Sequence, residues 1–166
     1  MKTNKREVGY KHLILARLMN MRYTEDIREK EGGTYGVSVS QGSSASPVSK
    51  YTLTMSFDTD PEKAEHLKSL IYKGLDSVAM YGPSAEELDK IKKSMLNSYE
   101  QSKPHNSYVM STVFNYYMNG YNQADPKNYE DIINSITVED IQKHAAKFMS
   151  KPDVIDLIFN PVAPKN

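Results

Sequence analysis

Arg28 and Tyr35 stand on either side of an abrupt corner in the run IREKEGGTYGVSVS. Taken singly, each has an ordinary role. Arg28 places a cation at the end of a helical stretch, where it complements the negative end of the macrodipole. Tyr35 opens a strand in which Tyr35, Val37 and Val39 alternate with Gly36, Ser38 and Ser40, the two-residue period of a sheet with one apolar face. Taken with Glu29, Gly32 and Gly33, the pair says more. Glycine accepts the left-handed backbone that follows a helix C-terminus, and so sharp a turn brings an arginine and a tyrosine to one end of the sheet.

Other chemistries find little support. Of the four histidines, His12, His66, His105 and His144, none is paired with another at helical ligand spacing, so no zinc site is expected within this chain. The run EKAEH at Glu62 to His66 would be an inverted H-x-x-E-H motif only if Glu62 were histidine. The serine-rich SQGSSAS lacks a strand-to-helix elbow and a placed histidine. EGGTYG lacks the lysine and the following helix of a phosphate-binding loop. The chain has no cysteine, which removes disulfides, thiolate metal ligands and thiol nucleophiles together.

The elements that must position the corner follow from periodicity. Apolar residues at Leu13, Leu15, Ala16, Leu18, Met19 and Met21 predict a wide-faced helix from Val8 to about Ile27, ended by Gly32 and Gly33. Two alternating runs, the second carrying Leu53, Met55 and Phe57, predict an antiparallel hairpin around a loop from Gly42 to Pro47. Asp60 and Pro61 open a helix through Leu67, Ile71, Leu75 and Val78, with the carboxylate as cap. Ser84 and Glu87 form a capping box for the next, through Leu88, Ile91 and Met95. A third begins near His105 and ends at Gly120, a short helical turn follows at Asn128 to Asn134, and Thr137 caps a helix with Ile141, Ala145 and Phe148 inward. DVIDLIF reads as a final strand. The fold class expected is α+β, a small antiparallel sheet with helices packed on one face.

At 166 residues the chain has the length of one domain, 1–166. Lysine plus arginine and aspartate plus glutamate each total 21, a net charge of zero, so no long-range field steers nucleic acid or an anionic membrane toward it. No apolar run approaches the length of a membrane span. The twelve tyrosines, including Tyr116, Tyr117 and Tyr121, read as rings in a core with wet hydroxyls.

The run LILARLMNMRYTEDIREKEGGTYGVSVS resembles the C-terminal-type domain of the pitrilysin and insulinase family of zinc metallopeptidases, whose helix ends in R-E-x-x-G-x-x-Y. Here every fixed position is filled, by Arg28, Glu29, Gly32 and Tyr35. YTLTMSFDTDPEKAEHLKSLI and GPSAEELDKIKKSMLNSYEQS resemble the family's next strand and helices, so the likeness runs from about Leu13 to Phe148. The resemblance implies that Arg28 and Tyr35 bind peptide substrate across a clamshell. It also implies that zinc belongs to an N-terminal catalytic half carrying H-x-x-E-H. A neutral phenol can donate a hydrogen bond to an oxygen gaining charge, and a guanidinium can hold a carbonyl through more than one donor.

No H-x-x-E-H exists in the chain, so alone it is expected to be inactive. The alternative implied is a non-peptidase structural or processing-subunit homologue acting in an assembly. Family domains begin with strands that have no room before Val8. The expectation is therefore a truncated domain, self-associating through an unpaired sheet edge or an apolar face. For the longer parent the resemblance suggests the bacterial cell envelope.

Overall fold

A computed structural model describes residues 5–30, 34–44, 50–150 and 152–160. Helix α1 spans Lys5–Tyr23 and continues as a π-helical segment, Thr24–Lys30. Strands β1, Thr34–Ser44, and β2, Lys50–Thr59, pair antiparallel as a two-stranded sheet. Then come α2, Ala64–Tyr81, α3, Ala85–Ser102, α4, Asn106–Asn119, α5, Glu130–Ser135, and α6, Val138–Ser150. The fold is α+β, with the helices gathered on the apolar face of the hairpin.

Helix α1 is the centre. Ile14, Leu15, Leu18 and Met19 are wholly buried, and their positions cover more of the circumference than a single surface stripe would. Around them pack Leu67, Ile71, Leu75 and Val78 of α2, Leu88, Ile91 and Met95 of α3, and Ile141 and Ala145 of α6. Val37, Val39, Leu53, Met55 and Phe57 of the hairpin close the cluster from the sheet side. The intervening Thr52, Thr54 and Ser56 are exposed, as a two-residue period requires.

The helix caps largely follow the sequence. Ser84 accepts from the Glu87 amide while Glu87 accepts from the Ser84 amide, at 3.1 and 2.7 Å, so the capping box is formed. Thr137 makes the equivalent exchange with Asp140. The Asp60 carboxylate does not cap: a 3-10 turn, Pro61–Lys63, precedes α2, and the Lys63 amide donates to the Asp60 carbonyl at 2.9 Å instead. Gly82 ends α2 with φ at 73°, and an added Cβ there would lie 3.2 Å from Val138 of α6.

Three further expectations are corrected. Gly42, Ser43 and Ser44 belong to β1, paired with Thr52, Tyr51 and Lys50, so the hairpin loop is shorter than its composition suggested. DVIDLIF does not form a strand: residues 152–160 have no regular structure, and Ile155 and Phe159 are 83% and 90% exposed. Alternation makes a segment fit for a sheet, but a strand exists only when its amides and carbonyls find a neighbouring ladder, and among the described residues none is placed beside it. Tyr116 and Tyr117 lie outside the core rather than in it, 59% and 78% exposed.

Gly74, inside α2, supplies a test. Helix propensity alone makes alanine better than glycine by roughly 1 kcal/mol. The Cβ of an alanine here, however, would come within 2.6 Å of Tyr23 Cε1 and 3.0 Å of its hydroxyl. Tyr23 is 2% exposed and its hydroxyl donates to the Ile71 carbonyl, so the ring has nowhere to move. Overpacking of this kind costs about 1 to 3 kcal/mol. Gly74→Ala is expected to lower the urea midpoint; a higher midpoint would show that the Tyr23 ring can yield.

Candidate functional site

The corner is built from the C-terminal half of α1, the π-helical segment and the first residues of β1. Four contacts hold it. Ile27 is 1% exposed and sits in the core. Tyr23 is locked by the Ile71 hydrogen bond, and burial pushes its phenol pKa up. Arg22 reaches across to α3 and donates two parallel hydrogen bonds to Glu87, at 2.7 and 2.8 Å. This charge-assisted fork holds the Glu87 carboxyl down at about 2. Asn20 Oδ1 accepts the Val39 amide at 3.0 Å, tying α1 to the edge of β1.

Both residues singled out by the sequence fall on backbone irregularities. Arg28 lies in the π-helical segment Thr24–Lys30, which follows directly on the bond from Thr24 Oγ1 to the Asn20 carbonyl, 2.8 Å, a side-chain bond of the kind that competes with the helical ladder. Tyr35 lies where the hairpin register shifts: Thr34 pairs with Thr59 and Gly36 with Asp58, leaving Tyr35 without an opposite partner. Wide helical turns and bulges both concentrate at functional sites, because each re-aims a side chain that regular geometry would point elsewhere. The side chains of Arg28 and Tyr35 lie outside the described residues, as do Gly32 and Gly33.

Tertiary structure also assembles a pair that spacing could not reveal. His12, 0% exposed, meets His144 of α6 with Nδ1 to Nε2 at 3.3 Å. Its Nε2 lies 2.9 Å from the Thr52 carbonyl. A carbonyl can only accept, so His12 carries its proton on Nε2 and Nδ1 accepts from His144. Tyr51 and Phe148 flank the ring. Desolvation, then the nearby His12, Lys11 and Lys147 charges, push His144 down to about 4; burial lowers His12 as well. Among the described residues no group of three or more histidine, aspartate, glutamate or cysteine side chains could hold a metal ion. With both rings held neutral by burial, the pair joins α1, β2 and α6.

Its pH dependence has a definite sign. Between the ordinary histidine value of 6.5 and about 4, the unfolded chain binds protons that the folded chain refuses. Stability is then complete above the upper value and falls as pH drops through the window, by an amount on the order of 3 kcal/mol at most. Urea unfolding at neutral pH and within that window should show the loss, and His144→Gln should make it smaller. An unchanged slope in the variant would remove His144 as its origin.

The fold and site define a class: an α+β domain with helices on one face of an antiparallel hairpin and, among its described residues, no metal-binding cluster of its own. The family described as the peptidase M16 inactive domain matches residues 9–95. The chain belongs to that family, as a non-catalytic, C-terminal-type domain of the pitrilysin-like peptidases.

Solved structures share the fold. The periplasmic protease PqqL from Escherichia coli superposes with a TM-score of 0.65 at 20% identity over 89% of this chain and 16% of that one. A protease from Helicobacter pylori gives 0.70 at 17% identity over 87% and 35%. A peptidase M16 inactive domain from Pseudomonas fluorescens gives 0.60 at 22% identity over 81% and 34%. At these identities the likeness concerns the fold alone, and the chain spans only about a sixth to a third of these proteins. No curated protein sequence matches significantly.

Proposed function

We propose that this domain is the substrate-binding, non-catalytic part of a zinc metalloendopeptidase, pairing with a zinc-bearing N-terminal half that closes over the peptide. In this reading Arg28 holds a substrate carbonyl and Tyr35 donates to the oxygen that gains charge in the transition state. The zinc of the other half would supply the activated water. The observation that supports the reading is the coincidence of a complete R-E-x-x-G-x-x-Y element with two backbone irregularities, one at Arg28 and one at Tyr35. The domain boundary at 1–166 is part of the same proposal.

The test is steady-state peptide hydrolysis by an enzyme that joins this domain to its zinc-bearing half. Arg28→Ala should raise KM, and Tyr35→Phe should lower kcat. Wild-type values for both variants would reject the reading.

One observation favours a second reading, a scaffold in an assembly. Helix α4 buries none of its residues and carries no charged side chain, yet Met110, Phe114 and Tyr117 are 71%, 59% and 78% exposed. Apolar faces of this kind mark interaction surfaces. Association through α4 or through a sheet edge would appear in sedimentation as a mass that grows with concentration; a monomer throughout would exclude it for the isolated chain.

A further inference from the structure

The outer side of β1, opposite β2, borders a groove of about 550 Å³ between α1 and α3. That size lies within the range of binding clefts for small ligands and peptide side chains. Leu13, Met21 and Ile91 give it apolar walls, while Arg17 and Lys90 bring two cations and no carboxylate is among its described lining residues, Glu86 and Asp89 bordering Lys90 on its other side. Among the described residues neither cation belongs to an ion pair, which sets them apart from Arg22, held by Glu87, and Lys11, held by Glu7 and Asp140. Arg17 lies near enough to Tyr129 to act on its phenol. Among the described residues the sheet has two strands, and none of these residues pairs as a strand with the groove side of β1. The Val39 amide points to that side, where it is met by the exposed side chain of Asn20. Alternation along an antiparallel strand directs the amides of Val37 and Gln41 the same way.

We propose that this groove binds an extended acidic peptide segment, whose backbone pairs with the outer edge of β1 and whose carboxylate side chain lies between Arg17 and Lys90. Main-chain hydrogen bonds supply register in such strand addition, and side chains supply selectivity. An incoming carbonyl takes the Val39 amide from Asn20, which returns to water at little cost because it is already exposed. Apolar side chains of the peptide meet Leu13 and Met21. The inference goes beyond the role proposed for Arg28 and Tyr35 and does not require it, since binding here needs no hydrolysis and no zinc-bearing half.

The test uses the full chain and two short fluorescein-labelled peptides, one alternating valine with glutamate and one alternating valine with lysine. Anisotropy should show the acidic peptide binding about tenfold or more tightly than the basic one, and more weakly as salt is raised. The doubly reversed variant Arg17→Glu with Lys90→Glu, its fold checked by circular dichroism, should lose at least about tenfold for the acidic peptide. The Val39 amide resonance should move on titration. Equal binding of the two peptides, no binding of the acidic one, an unaffected double variant, or a Val39 resonance that stays in place would each overturn the proposal. Since Arg28 and Tyr35 are intact throughout, such a failure leaves their proposed role standing.

Discussion

Tyr35→Phe, in an enzyme joining this domain to a zinc-bearing half, is expected to lower kcat by roughly a hundredfold or more while leaving KM and the urea midpoint near wild type. Loss of one preorganised donor to a developing oxyanion costs about 2.7 to 4 kcal/mol of transition-state stabilisation. Phenylalanine keeps the ring and removes only the hydroxyl, so any packing the ring provides is retained and the loss reports the donor. An interaction made only in the transition state shows in kcat rather than in KM. The position suits such a role, because the register shift between Thr34 and Gly36 frees Tyr35 from the ordinary alternation of β1. If kcat is unchanged, Tyr35 has no part in stabilising the transition state. If instead the urea midpoint falls together with kcat, its contribution is structural.

The second large effect concerns the core. Leu18→Ala should destabilise the domain by about 3 to 4 kcal/mol, a loss composed of the transfer energy of the removed methyl groups and the cavity they leave. Leu18 is wholly buried in α1 among residues from α2, α3 and α6, and elements fixed from so many sides cannot collapse into the space. A domain of this size has about 5 to 15 kcal/mol in total, so the variant sits close to its unfolding limit at moderate temperature. Val113→Ala in α4 is the control. Val113 is 50% exposed, and its truncation should change stability by no more than about 0.5 kcal/mol. Equal losses at the two sites, read from paired urea transitions, would mean that α4 is covered in solution.

These two positions mark where sequence reading succeeds and where it stops. Local signals were dependable, apart from the Asp60 carboxylate, which does not cap α2. Alternation from Val37 to Phe57 predicted the antiparallel hairpin, and Ser84 with Glu87, like Thr137, announced helix starts because a cap joins residues three apart. The R-E-x-x-G-x-x-Y element carried the resemblance to the family whose model matches residues 9–95. Where an outcome depended on distant partners, the same rules misled. The apolar residues of α4 look in sequence like those of α1, yet one helix is the centre of the core and the other buries nothing. DVIDLIF alternates as β2 does, but only β2 has a strand beside it among the described residues.

Residues within a few turns of one another set the family, the α+β class, the order of elements as far as α6 and the spacing of Arg28 and Tyr35. Tertiary structure alone decided the rest. It wound the end of α1 into a π-helix and shifted the hairpin register at Tyr35. It joined His12 to His144 across 132 positions, and it brought Arg17 and Lys90 to one groove in which no carboxylate is among the described lining residues. The physical reason is common to all of these. Caps and periodicity are energies of neighbouring residues, whereas burial, pairing and register are energies of surfaces that meet only after the chain has folded.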